Sequence, residues 1–168
     1  MSVFTATVSP SNSKLFNYCL PLPNEVTAHF LALGNKRVIV VLNATEPFQA
    51  ALTPIGQGVY VLKLNQPRMK QLALEIGDTV RVELFPDDST YGLPVPEELT
   101  ALWEQDEAGR AIFHQLTIGK QRTMLYHIGQ GTDSEERLRR AVLITDHLIT
   151  RNGKLNYRAL AQELKKDG

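Results

Sequence analysis

Residues 43–84 read NATEPFQAALTPIGQGVYVLKLNQPRMKQLALEIGDTVRVEL, and their reading decides the fold of the first half of the chain. Gly and Pro recur at short intervals with β-branched residues between them, the pattern of short strands joined by tight turns. Val59 to Leu64 alternates as a strand. Pro67 suits a first helical turn and opens a short helix to about Leu74. Gly77-Asp78 ends that helix, and Val80, Val82 and Leu84 give the strand Val80 to Phe85 one apolar face. Gly77 and Asp78 are thus read as a structural turn, with the Asp78 carboxylate bonding backbone N–H groups. The stretch specifies a small, strongly bent β-domain and no reaction.

The preceding residues run in the same order. Val3 to Val8 alternates as a strand, Ser9 to Ser13 is turn-like, and Leu15 to Leu20 is a second strand closed by Pro21 and Pro23. Asn24 stands in N-cap position for a helix to about Leu33, which Gly34-Asn35 ends. Arg37 to Leu42 is a near-continuous apolar run, which implies burial on both faces. Leu20 corresponds to Leu64, Pro23 to Pro67, Gly34-Asn35 to Gly77-Asp78, and Val38, Val40 and Leu42 to Val80, Val82 and Leu84. Two strand–helix–turn–strand units of similar length imply an internal duplication that closes a barrel and leaves few free sheet edges. Thr45 to Gly58 then reads as the connection between units. Phe48 plugs a barrel end, and Gly56 and Gly58 take turn positions where a side chain would clash.

Asp87 to Pro96, rich in turn formers and proline, reads as a linker, and the period changes after it. The expected division is residues 1–94, the duplicated barrel, and 95–168, a small helical bundle. The fold class is α+β. Leu99, Leu102 and Trp103 form an i, i+3, i+4 stripe after Pro96, and Gly109 interrupts the helix. Ala111 to Leu116 is a short helical piece. Thr117 caps a helix carrying Met124, Leu125 and Ile128, which Gly129 and Gly131 end. Thr132 and Glu135 form a capping box for a long helix that buries Leu138, Ala141, Val142, Thr145, Leu148 and Ile149 and stops at Asn152-Gly153. Tyr157 to Lys165 is a last amphipathic helix.

Eighteen basic residues balance eighteen acidic ones, which argues against a uniformly basic nucleic-acid binder. The balance is uneven: residues 1–108 hold 7 Lys+Arg against 12 Asp+Glu, a net −5, and residues 109–168 hold 11 against 6, a net +5. The two parts are expected to attract each other or to present two faces. No apolar run reaches membrane-spanning length, the first residues do not read as a secretory signal, and a single cysteine excludes an internal disulfide. A cytoplasmic protein is the simplest expectation.

Catalytic and metal signals are weak. His29, His114, His127 and His147 lack the spacing of zinc ligands and read as surface or boundary residues. Cys19 reads as a small buried hydrophobe. Thr117 and Lys120 mimic an SxxK pattern but are better explained as a cap and an exposed lysine. Asp87 and Asp88 could hold a divalent cation, yet adjacent acids at a strand end are ordinarily a turn. No cofactor or metal is expected. The strongest surface is basic: Lys120 and Arg122 on one helix, Arg137 and Arg140 at i, i+3 spacing on the next, a candidate anion-binding face.

The block NATEPFQAALTPIGQGVYVLKL, with IGDTVRVEL and Asp88, resembles the domain of unknown function 1905. The block LPVPEELTALWEQDEAGRAIFHQLTIGKQRTMLYHIGQGTDSEERLRRAV resembles the bacteriocin-protection, YdeI or OmpD-associated family. The first resemblance implies a double-split, AbrB-like β-barrel with Gly77-Asp78 at its characteristic turn. The second implies a non-enzymatic binding protein that protects bacteria against antimicrobial peptides or envelope stress, with a protein or peptide partner, and brings no catalytic residues. The chain departs from the family pattern at Thr117-Ile118-Gly119, His127 and Gly129-Gln130-Gly131. Two further expectations compete: a nucleic-acid regulator using the Arg-rich helices, and an enzyme with an interdomain site using Asp88, His114 or His127.

Overall fold

The alternating segments build strands, and the strands pair so as to interchange the two halves of residues 1–92. A computed structural model describes residues 1–12 and 16–166, so the expected strand start at Leu15 lies outside the described residues. The chain divides into two units, Met1–Gly92 and Leu93–Gly168. The first is α+β, with strands β1 (Ser2–Thr7), β2 (Ser9–Pro10), β3 (Tyr18–Pro21), β4 (Arg37–Leu42), β5 (Phe48–Ala51), β6 (Thr53–Gly56), β7 (Val59–Leu64) and β8 (Thr79–Pro86), and helices α1 (Asn24–Ala32) and α2 (Gln66–Gln71). Two antiparallel sheets result, ordered β1-β8-β4-β5 and β2-β3-β7-β6. Exchanging β1 with β5, β2 with β6, β3 with β7 and β4 with β8 reproduces both orders in reverse. Each sheet therefore mixes the two repeats, and neither repeat can complete its hydrogen-bond ladder alone.

Several local expectations change. Thr45 to Gly58 is no connection, because Phe48–Ala51 and Thr53–Gly56 are the first two strands of the second repeat. Ser9-Pro10, read as loop, pairs with Tyr18 and Cys19. Val8 and Leu52, both buried, sit at matching corners where the chain passes from one sheet to the other. Their N–H groups donate to Asp78 O and Lys36 O, each at 2.9 Å. At Gly56, Gln57 and Gly58 φ is positive, and an added Cβ on either glycine meets nothing within 4 Å. Left-handed backbone, and not a clash, is what asks for glycine there.

The helix ends also move. Pro23 takes the N-cap position of α1 with no side-chain bond, and Asn24 is already helical. Gly34 and Asn35 donate to Leu31 O and Phe30 O, closing α1 in the double-bonded left-handed terminus that glycine favours. In α2 the same two bonds come from Ala73 and Leu74, to Lys70 O and Met69 O, and Ala73 adopts φ 51°. The counterpart of Gly34 is thus Ala73 and not Gly77. Helix α2 is shorter than α1, and Glu75 to Asp78 makes up the length as a separate turn. There Asp78 Oδ2 accepts from Glu75 N–H at 2.9 Å, Gly77 has φ 93°, and Gly77 N–H donates to Val8 O at 2.9 Å.

The core of this unit is one cluster: Leu20, Phe30, Val38, Val40, Leu42, Leu62, Leu64, Met69, Val80, Val82 and Leu84 are all buried. Ile39 and Val41 are only half-buried, so β4 does not bury both faces. Phe48 lies at the edge of the cluster with the Arg68 guanidinium 4.1 Å above its ring.

The second unit is helical: α3 (Glu97–Gln105), α4 (Glu107–His114), α5 (Ile118–Gly129), α6 (Ser134–Thr150) and α7 (Tyr157–Lys166). Helix α6 packs against the other four. Gly109 does not break a helix; it lies inside α4, buried against Thr145. The break is at Asp106, which ends α3 and caps α4 by accepting from Gly109 N–H at 2.8 Å. The cap of α6 is Asp133, whose Oδ1 accepts from Glu136 N–H at 2.8 Å, and not Thr132 with Glu135. Its buried face is Ala141, Ile144, Thr145, His147 and Leu148, while Leu138, Val142 and Ile149 are exposed. Among the described residues no helix is long and apolar enough to cross a membrane.

Candidate functional site

Charge in the second unit is arranged differently from the sequence expectation. Residues 1–92 carry seven basic and seven acidic residues, and residues 93–168 carry eleven of each. Both units are neutral. The acidic excess assigned to the β-rich half belongs to α3 and the start of α4, inside the helical unit.

One acid of α3 meets an arginine of α6, and the other two arginines there share an acid of α6 itself. Arg137 Nε donates to Glu98 Oε1 at 3.0 Å, and its Nη1 donates to Gly131 O at 3.3 Å. Arg140 Nε donates to Glu136 Oε1 at 2.9 Å, and its Nη1 donates to His127 O at 2.9 Å. Arg139 holds both Glu136 oxygens at 2.7 Å. Two of the four predicted anion-binding residues thus bond carbonyls at the end of α5, where the helix leaves unpaired acceptors and a partial negative charge. The bonds from Arg139, then Arg140, lower Glu136 to about 2. Glu98 also sits below the usual carboxylate range, held by its own backbone N–H, the Ser134 hydroxyl and Arg137. Lys120 is exposed and Arg122 half-buried, both in the first half of α5, whose Thr117 cap accepts from Lys120 N–H at 3.4 Å.

A groove of about 300 Å³ opens at the other end of α5. Leu93, Pro94 and Pro96 form one wall, Leu125, Tyr126, Gly129 and Gln130 the other, and Arg137 lies at its side. The prolines hold the segment before α3 extended, and Gly129, with nothing within 4 Å of an added Cβ, leaves the opposite wall open. The surface is mostly apolar, and the Arg137 charge is matched by Glu98. Such a cleft suits one bulky apolar side chain or a small apolar ligand. Reading Leu93 to Pro96 as linker hid this wall. The visible signal was proline spacing, which does not say what the prolines face.

The other sequence candidates are dispersed. Asp87 is buried: its Oδ1 accepts from Ser89 N–H at 3.0 Å and Ser89 Oγ at 2.5 Å, its Oδ2 from Gln49 Nε2 at 3.0 Å. Burial opposes its ionisation, but those bonds and the nearby Arg37 outweigh burial and lower its pKa. Arg37 also donates to Gly92 O, so this cluster fastens the end of the first unit. Asp88 is exposed. No group of three or more metal-ligating residues occurs among the described residues. Cys19 is buried, and burial raises its pKa against the opposing effect of Lys63. His114 is exposed, with Nδ1 2.7 Å from Arg110 O. His127 is half-buried, and burial, then Arg140, lowers its pKa.

His147 is the residue the sequence reading placed wrongly. It is buried, not at a boundary. Its Nε2 accepts from Asn156 N–H at 3.1 Å, which leaves Nδ1 to donate to Glu163 Oε2 at 2.9 Å. Arg151 donates to the other Glu163 oxygen at 2.9 Å, so the triad ties α7 to α6. Ile144, His147 and Leu148 stand at i, i+3, i+4, and that spacing was the available signal.

Two family models match the chain, one after the other. Residues 4–84 match the family model described as Domain of unknown function (DUF1905), and residues 93–148 match the one described as Bacteriocin-protection, YdeI or OmpD-Associated. No curated protein matches the chain. Every residue lining the groove lies within 93–148, and α7 lies beyond it.

Proposed function

We propose that this chain, a DUF1905 domain followed by a bacteriocin-protection, YdeI- or OmpD-associated domain, is a bacterial binding protein that protects by holding a partner and not by catalysis. The observation that carries the reading is the groove, because it lies wholly inside the residues matched by the protection-associated model. Its apolar walls and neutralised arginine suit capture of an apolar side chain better than proton transfer or phosphate binding. The first domain is read as a double-split barrel turning through Val8 and Leu52, a scaffold role in which its glycines serve chain geometry. A cytoplasmic site of action belongs to the same reading, and cell fractionation tests it. Nucleic acid fits less well, since Arg137 and Arg140 each commit Nε to a glutamate and Nη1 to a backbone carbonyl.

A deletion strain is expected to be more sensitive to a panel of bacteriocins and cationic antimicrobial peptides. The wild-type gene restores resistance, and a stably folded Gly129→Phe variant, which fills the groove, does not. Unchanged sensitivity of the deletion strain overturns the protective role. Full rescue by Gly129→Phe overturns the groove as its site.

A further inference from the structure

The wall of the groove that begins at Leu93 continues into a run of single-sign charge. Residues 93–108 contain Glu97, Glu98, Glu104, Asp106 and Glu107 and no Lys or Arg. Glu98 is committed to Arg137, and Asp106 caps α4. Glu97 and Glu104 are exposed. Seven residues apart on α3, they stand within about 20° of each other around the helix and roughly 10 Å apart along it. Leu99, buried, faces the opposite way, and Thr100 and Ala101 between the two glutamates are exposed. Glu97 directly follows Pro96, which lines the groove. Among the described residues neither glutamate is in an ion pair. An acidic strip therefore leads from the groove along α3, while the cation at the groove, Arg137, is matched by Glu98.

We infer that the groove receives a cationic amphipathic peptide segment. One bulky apolar side chain fills the cleft between Pro94 and Tyr126, and Lys or Arg side chains lie along Glu97 and Glu104. The sign is opposite to the one the arginine-rich sequence suggests, because Arg137 and Arg140 are paired in the fold and Glu97 and Glu104 are not. The strip fixes the partner's spacing: two basic residues roughly 10 Å apart, about seven positions if the segment is helical and three if it is extended. The inference rests on the groove being the partner site.

The test uses the full-length protein and two short labelled amphipathic peptides of matched length, one of Leu and Lys, the other of Leu and Glu, in fluorescence anisotropy at low salt. The Leu/Lys peptide is expected to bind and the Leu/Glu peptide not. The double variant Glu97→Gln, Glu104→Gln weakens binding about fivefold, in line with two exposed charge pairs, and added salt weakens the wild type toward the same value. Gly129→Phe, at a helical glycine with open space around it, abolishes binding without unfolding α5. Equal binding of both peptides, each lost in Gly129→Phe, keeps the groove and overturns the cationic partner. Binding of the Leu/Lys peptide unaffected by Gly129→Phe overturns the groove itself, and no binding of either peptide overturns both.

Discussion

Replacing Gly109 with alanine should destabilise the helical unit, although the same change in an isolated helix is favourable. Alanine gains about 1 kcal/mol over glycine in a helix interior. Here the added methyl would stand 2.6 Å from Thr145 Cγ2 and 2.5 Å from Asp106 Oδ2. Neither neighbour gives way freely. Thr145 is buried and its hydroxyl donates to Ala141 O at 2.8 Å, and the Asp106 carboxylate accepts from Gly109 N–H. Overpacking of this kind costs about 1–3 kcal/mol, and two rigid contacts put it in the upper half, so the net loss is about 1–2 kcal/mol. Trp103, the single tryptophan, lies 5.0 Å from the Phe113 ring of α4, so its fluorescence during urea unfolding reports this unit. The midpoint should fall in Gly109→Ala with an unchanged slope. It should rise slightly in Gly119→Ala, where an added Cβ meets nothing within 4 Å. Thr145→Ser removes the obstructing methyl and keeps the hydroxyl, so the double variant should recover about 1 kcal/mol, a coupling that a propensity effect cannot produce. A Gly109→Ala protein as stable as wild type, or no coupling to Thr145→Ser, would refute the close packing of α4 on α6.

Three further outcomes follow from particular bonds. Asp133→Ala should cost the helical unit about 1 kcal/mol, the usual worth of a capping side chain, whereas Thr132→Ala should cost less than half of that; equal losses would return the cap to Thr132. In the β-rich unit, Ala73→Gly should be neutral or stabilising and Gly77→Ala should cost about 1–2 kcal/mol, because both positions need positive φ and only glycine takes it freely; thermal midpoints with the opposite order would contradict the assigned turn. Glu136 has a lowered pKa, so its contribution is complete above the unfolded carboxylate value of 4.5 and is lost as pH falls toward about 2. Glu136→Gln should flatten the acid limb of the helical unit's stability curve in that window, and an unchanged limb would mean that the bonds to Arg139 and Arg140 do not persist in solution.

Much of the fold was legible because strand and helix periods are local properties. Val59–Leu64 coincides with β7, Arg37–Leu42 with β4, and Thr117 caps α5. The errors share one origin. Gly109 and Gly77 look alike in the sequence, yet one is required by the approach of Thr145 and the other by φ 93°. Ala73, which ends α2 in a conformation that usually selects glycine, carries no sequence mark at all. The candidate site was legible only as a list of cations. Whether a guanidinium faces an anionic ligand or a helix terminus depends on what lies opposite it, and Glu98 is thirty-nine positions from Arg137.

The sequence by itself determined the two-part plan and, within Asn43 to Leu84, the strand–helix–turn–strand order of Val59 to Phe85 that echoes the residues before it, because alternation, punctuation and repeat offset are written along the chain. Tertiary structure alone decided that the repeats exchange strands between sheets and that Phe48–Gly56 belongs to the second repeat. It also neutralised Arg137 and left Glu97 and Glu104 exposed. The physical reason is the same in each case: hydrogen bonds and ion pairs form between residues far apart in the chain, and periodicity carries no information about which distant partner a side chain meets.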